Sequence, residues 1–273
     1  MNSARYSHTA SLLSNGSVLV AGGFSSNIIT DSSELYNPLT QAWTRSGNMS
    51  FKRYQHTSSI LANGRILVAG GSNGSTNAMN SAELYDSLTG FWIITGNVSV
   101  ARRLHTATLL NNGKVLIAGG IGISQSRTIC VELYDPSTGV WTITGNMTDG
   151  RYAHTASLLN NGSVLVTGGS CSNTKTVEMY NPLTGLWTMA SNMNFGRYQH
   201  TASVVANGKV LVAGGYNAVP APMNSAELYD PSTGVWAVTG NMSFARTYHT
   251  ESLLNNGAVL VAGDSTNTAE LYV

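Results

Sequence analysis

Six histidines recur through this 273-residue chain at intervals of 46 to 49 residues, each in the setting Arg-x-x-His-Thr. They are His8, His56, His105, His154, His200 and His249, and the arginines ahead of them are Arg5, Arg53, Arg102, Arg151, Arg197 and Arg246. A glutamate follows in each unit, within Glu-Leu-Tyr or Glu-Met-Tyr: Glu34, Glu83, Glu132, Glu178, Glu227 and Glu270. Imidazole binds metals and guanidinium binds carboxylates or phosphates. A sixfold repeat of the same three groups nevertheless suits a scaffold better than a site, because an active site needs an asymmetric set. The expectation is that Arg and Glu pair, within or between repeats, since buried charges need partners, and that each His bonds to neighbouring backbone. The competing arrangement is a ring of histidines holding a metal or an anion. A useful metal site, however, takes three or four ligands at about 2 Å.

Departures from the repeat are therefore the better candidates for chemistry. Glu251 stands where the other units carry Ala10, Ser58, Ala107, Ala156 and Ala202. It lies two residues after His249, on the same strand face. Asp264 replaces the second glycine of a repeated pair, and Tyr248 precedes the histidine. His249, Glu251 and Asp264 could form a polar or metal-binding patch, or mark relaxed sequence in a terminal repeat. Arg103 takes the place of a tyrosine and could be a cation facing a ligand. The Gly-Gly pairs close a strand and do not open a helix, so they are not a phosphate loop.

The elements that must position these groups are short strands. The run after each histidine, such as Thr106-Ala107-Thr108-Leu109, is β-rich and too short for a globular helix. Asn-Gly follows six times, from Asn15-Gly16 to Asn256-Gly257, and predicts a type I′ hairpin in which both residues take positive φ. An apolar second strand comes next, such as Val115-Leu116-Ile117-Ala118, then a third around Glu132-Leu133-Tyr134. That strand ends in Asp135-Pro136-Ser137-Thr138-Gly139, a turn that proline cannot extend, and Trp141 opens the fourth. Four antiparallel strands per unit, six times over, predict an all-β propeller.

The paired glycines (Gly22-Gly23, Gly70-Gly71, Gly119-Gly120, Gly168-Gly169, Gly214-Gly215), followed by Tyr and then Trp at fixed offsets, resemble the kelch repeat over essentially the whole chain. The resemblance implies a six-bladed kelch β-propeller, a single domain over 1–273, with WD40-like architecture and four antiparallel strands per blade. The expected blades are approximately 5–49, 53–98, 102–147, 151–193, 197–242 and 246–273. Five tryptophans serve six units, so blade 6 is expected to lack its outer strand, with residues 1–4 the remnant of a closing strand. An open edge there would invite self-association.

Kelch propellers include actin and ubiquitin-ligase adaptors, a copper oxidase and a sialic acid epimerase. The resemblance is thus specific for fold and open on function. The Arg-x-x-His-Thr style is similar to the central domain of galactose-oxidase-like proteins, but their copper ligands from a further domain have no counterpart in this chain. No cofactor or metal is expected. The leading expectation is a non-catalytic binding module for a protein, with a glycan as a second possibility. The alternative is a galactose-oxidase-like or sialic-acid-epimerase-like enzyme with a site near blade 6. Connections between second and third strands vary in length and content, and variable loops on a rigid scaffold are where binding residues sit. The candidates are Asn73, Asn77, Met79, Arg103, Gln125, Arg127, Lys175, Tyr216, Asn217, Val219 and Pro220.

Bulk properties narrow the partners. Charged residues make up 10% and the net charge is +1, with no basic cluster for nucleic acid. No apolar run approaches the roughly 20 residues of a membrane span, and no signal peptide is expected ahead of the first repeat. Cys130 and Cys171 are too few for a disulfide scaffold; they could pair or be unrelated. Asn-x-Ser/Thr sequons fall mostly in the repeated turns and do not decide the compartment.

Overall fold

Each repeat starts with a four-residue strand that turns back at Asn-Gly, as seen in the computed structural model, which describes residues 1–74, 78–170, 173–219, 221–263 and 268–272. The chain divides into two compact units, Met1–Thr144 and Gly145–Val273. The first unit holds three four-stranded antiparallel sheets. Their strands are Thr9–Leu12, Val18–Ala21, Ser33–Asn37 and Ala42–Arg45; then Thr57–Ile60, Ile66–Ala69, Ala82–Asp86 and Phe91–Ile94; then Thr106–Leu109, Val115–Ala118, Val131–Asp135 and Val140–Ile143. The second unit holds two more, Thr155–Leu158, Val164–Thr167, Val177–Asn181 and Leu186–Ala190, then Thr201–Val204, Val210–Ala213, Ala226–Asp230 and Val235–Val238. Its last sheet has three strands among the described residues, Thr250–Leu253, Val259–Ala262 and Ala269–Tyr272. These six sheets are the blades of an all-β, six-bladed propeller, and the one helical element among the described residues is a 3-10 turn at Ile123–Gln125.

Burial follows strand rank within the blade. Second strands such as Ile66–Ala69 and Val210–Ala213 are buried at every residue, as an apolar run covered on both faces must be. Fourth strands such as Phe91–Ile94 are largely exposed. The core lies between successive blades of a unit. Leu67 and Ala69 meet Val115, Ile117, Tyr134 and Trp141 of the next blade, and Leu165 and Val177 meet Val210, Val212, Tyr229 and Trp236.

The Asn-Gly turns differ from the type I′ expectation. Only the glycines are left-handed, Gly16 at φ +81° for example, while none of the asparagines has positive φ. Leu13 N–H donates to Ser17 O at 2.8 Å and Gly16 N–H to Leu13 O at 2.9 Å. This is a three-residue loop ending in a left-handed glycine and a G1 bulge. The asparagine serves as an acceptor: Asn15 Oδ1 takes the Ser17 N–H at 2.9 Å, and Asn63, Asn112, Asn161, Asn207 and Asn256 do the same two residues on. Residues 1–4 also differ from expectation, since they form no strand. Asn2 and Ser3 present their N–H groups to Glu34, as Ser50 and Phe51 do to Glu83.

The glycine pairs are where blades meet. Gly23 N–H donates to Arg53 O of the next blade at 2.8 Å. A Cβ on Gly22, which sits at φ +64°, would lie 2.6 Å from Arg53 O and 2.7 Å from His56 Cε1. Nothing but hydrogen fits there. Gly22→Ala is expected to destabilise the protein by about 2 kcal/mol or more. Gly16→Ala, where the added Cβ meets nothing within 4 Å, should cost only the backbone strain of about 1 kcal/mol. Denaturant unfolding of the two variants side by side checks this, and equal losses would contradict the junction role of Gly22.

Candidate functional site

The repeated Arg-x-x-His-Thr segment supplies the frame on which any site must sit. Arg53 is fully buried and every terminal nitrogen is in use. Nη1 donates to Gly70 O at 2.8 Å and Ser81 O at 3.0 Å, and Nη2 to Ser81 Oγ at 3.1 Å and Glu83 Oε1 at 2.8 Å. Glu83 in turn accepts the N–H groups of Ser50 and Phe51 in the link from the preceding blade. The same ion pair recurs within all six blades at 2.7–3.0 Å, through Arg5–Glu34, Arg102–Glu132, Arg151–Glu178, Arg197–Glu227 and Arg246–Glu270. Burial opposes ionisation of Glu34, but the Asn2 N–H, Arg5 and the Ser3 N–H outweigh it and hold its carboxyl below the usual range. The terminal guanidinium nitrogens of Arg53 are thus committed to the frame, while its Nε is buried without a partner.

Four of the histidines reach a hydroxyl of the preceding blade, a partner one whole repeat away. Thr9 Oγ1 lies 3.0 Å from His56 Nε2, Thr57 Oγ1 2.9 Å from His105, Thr155 Oγ1 2.9 Å from His200 and Thr201 Oγ1 2.9 Å from His249. The reason is that the first strands of adjacent blades run side by side, bringing the threonine after one histidine under the next. Burial, with the charges of Arg53 and His8, lowers the His56 pKa to about 3, and His200 is lowered in the same way. Among the described residues, no group of three or more His, Cys, Asp or Glu is placed to hold a metal ion.

Glu251 turns toward blade 5, where Oε2 accepts from Thr201 Oγ1, the hydroxyl that also meets His249. Burial raises its pKa against the opposing pull of Ser203 and Thr201. Asp264, Asn77, Pro220 and Cys171 lie outside the described residues. Cys130 carries a free thiol that donates to Glu132 Oε1 at 3.9 Å.

The variable connections between second and third strands pair with the segment just before each histidine. Tyr54 and Ser72 exchange backbone hydrogen bonds at 3.0 and 2.9 Å, and Arg103 with Ile121 and Tyr198 with Tyr216 do likewise. One position in that segment is left-handed in every blade although it is never glycine: Ser7, Gln55, Leu104, Ala153, Gln199 and Tyr248, all with φ of 50–54°. In the first unit Tyr6 stacks on Phe24 at 5.2 Å, and Phe24 meets Tyr54 edge-on at 4.5 Å. Arg103 has no carboxylate in ion-pair range among the described residues. Its Nη1 donates to Gln55 Oε1 at 2.6 Å and its Nη2 to Gln125 Oε1 at 3.0 Å, and both glutamines are left-handed. Two neutral amides thus orient the cation without cancelling its charge.

Of the loop candidates, the structure brings Arg103 and Gln125 together and sets Arg127 across from Ile121, the residue that pairs with Arg103. In the second unit it joins Tyr216 to Tyr198 and Tyr248. Asn73, Lys175 and Val219 are exposed at separate positions, and Asn217 Oδ1 closes its own loop by accepting the Ala221 N–H at 3.2 Å. Met79 is a correction: it is 9% exposed, and its backbone ties Gly71 O to the Arg102 N–H, so it supports its loop from below. Sequence reasoning missed Tyr6, Phe24, Tyr54, Gln55, Tyr198 and Gln199. The available signal was that the residue before an otherwise fixed His changes in nearly every repeat.

Stability should follow the histidines through pH. His56 is held neutral in the folded chain, so below its ordinary value of 6.5 the unfolded chain takes up the proton first. The contribution is complete above about pH 6.5 and is lost as pH falls toward 3. The urea midpoint is expected to fall steadily between about pH 6.5 and pH 4, with a shallower slope in His56→Gln. A slope unchanged by that substitution would contradict the assignment. Glu83→Gln, which leaves Arg53 buried without its counter-charge, is expected to lose about 3 kcal/mol at pH 7.

A family model described as the KLHDC2/KLHL20/DRC7 Kelch-repeats domain matches residues 7–196, and one described as the Kelch motif matches residues 197–243. No curated protein matches the chain.

Proposed function

The chain belongs to the kelch-repeat family of β-propellers, whose domains commonly act as interaction modules, and from that premise we propose that it binds a protein partner through the face carrying its second-to-third-strand connections. The observation that carries this reading is the left-handed residue before each histidine. A non-glycine side chain there costs roughly 1 kcal/mol or more, and the chain bears that cost six times. Ser7, Gln55 and Leu104 in the first unit, and Ala153, Gln199 and Tyr248 in the second, vary the surface of each unit on a repeated frame. Aromatic and arginine anchors of the kind that dominate protein interfaces stand beside them: Tyr6, at 59% exposure, and the uncancelled Arg103.

The test is capture of partners from lysate on the immobilised chain. Wild type is compared with Arg103→Ala, with Tyr6→Ala and with Leu88→Ala, the last at a 95% exposed position in a third-to-fourth-strand turn. The first two variants are expected to lose the captured partner by about tenfold or more with unchanged melting temperature, while Leu88→Ala retains it. Loss confined to Leu88→Ala would move the interface elsewhere, and capture of a glycan in place of a protein would refute the partner class.

A further inference from the structure

In the second unit the loop-bearing side gathers three tyrosines from two successive blades. Tyr198 and Tyr216 stack with ring centroids 5.5 Å apart, and Tyr248 meets Tyr216 edge-on at 6.3 Å. Gln199 Nε2 donates to the Tyr248 hydroxyl at 2.7 Å, while Gln199 Oε1 is buried with no hydrogen-bond partner. Three of the backbone positions holding this cluster are left-handed without being glycine, Ala153, Gln199 and Tyr248. Gln199 N–H is clamped to Ala153 O at 2.8 Å. The rings are therefore held in place before any ligand arrives. Tyr248 remains 70% exposed.

What converges here is electron density. Ring faces carry the negative part of the aromatic quadrupole, the phenol oxygens accept, and the free Gln199 carbonyl accepts. Burial, and then the proximity of Tyr152, Tyr216 and Tyr248, keeps the Tyr198 phenol protonated; the oxygens are close enough to oppose one another's ionisation. The nearest arginines in sequence, Arg197 and Arg246, turn inward to Glu227 and Glu270. The unpartnered Gln199 carbonyl adds negative potential beneath the rings, and a cation over tyrosine faces gains attraction from the ring quadrupole.

We propose that Tyr198, Gln199, Tyr216 and Tyr248 form a site for a cationic side chain, the lysine or arginine of a protein partner. The site rests on the loop-face reading above and adds the chemistry of what is bound. A glycan is disfavoured because Tyr198 and Tyr216 stack on each other, which leaves edges and acceptors in place of a flat open platform.

The full chain, labelled with 13C in its tyrosine rings, is titrated with n-butylguanidinium and n-butylammonium chloride at constant ionic strength. n-Butanol serves as the neutral control, and a methyl glycoside as the sugar control. The cations are expected to shift the Tyr198, Tyr216 and Tyr248 ring signals saturably, with a millimolar dissociation constant, and n-butanol is expected not to. Tyr248→Leu, which keeps apolar bulk but removes the π face, should weaken cation binding by about fivefold or more, and Tyr248→Phe by about twofold or less. Unchanged signals from Tyr85 and Tyr134 in the first unit report intact folding. Equal shifts from n-butanol, saturation by the glycoside alone, or undiminished binding in Tyr248→Leu would each overturn the proposal. Partner capture lost in the Arg103 and Tyr6 variants, with no cation shift here, removes this site and leaves the loop-face reading. Cation shifts with capture untouched by those variants support the site and remove that reading.

Discussion

A buried arginine is tolerable only if its charge is met, and the blade is arranged so that both terminal nitrogens of Arg53 find acceptors and one of them meets a carboxylate. Its guanidinium joins the end of the second strand at Gly70 O, the stem of the variable loop at Ser81 O and the carboxylate of Glu83 on the third strand. Glu83 passes the connection to the link from the preceding blade through Ser50 and Phe51. One ion pair therefore fixes a strand end, a loop stem and a chain crossing together. In a chain with only 10% charged residues, six such pairs claim a large share of the charge, which marks them as the members that hold geometry.

With the link fixed, the junctions between successive blades of a unit fall into register. Gly-Gly accepts the close approach of the next arginine's carbonyl, and the threonine after one histidine meets the imidazole of the next blade. On the outer strands, Trp92 Nε1 donates to Gly47 O at 3.0 Å and Trp141 Nε1 to Gly96 O at 2.8 Å. Blades locked this way can carry strained residues before each histidine, because the surrounding bonds over-determine the backbone there. A rigid frame and a variable rim are thus two results of the same pairing.

Much of the frame was legible in the chain. Repeat period, strand order, the glycine pairs and the pairing of Arg with Glu all follow from local pattern and from the cost of buried charge. The turn geometry did not, because Asn-Gly suits both a two-residue and a three-residue loop, and flanking hydrogen bonds chose the latter. Met79 looked like an anchor because a methionine in a variable loop carries no sign of which way it faces. The threonine hydroxyls that meet His56, His105, His200 and His249 were not legible locally because each lies a whole repeat away.

What the sequence determined by itself is therefore the repeated blade, since strand periodicity, turn residues and charge balance are properties of short stretches of chain. Tertiary structure decided which of the changing residues become neighbours. Tyr198, Tyr216 and Tyr248 belong to three separate connecting segments, and Gln55 and Gln125 reach Arg103 from two more. Such contacts arise from loop closure and from the angle between adjacent blades, and no local pattern encodes them. The residues that depart from the repeat could be found by reading; the surface they make together exists only once the blades are docked.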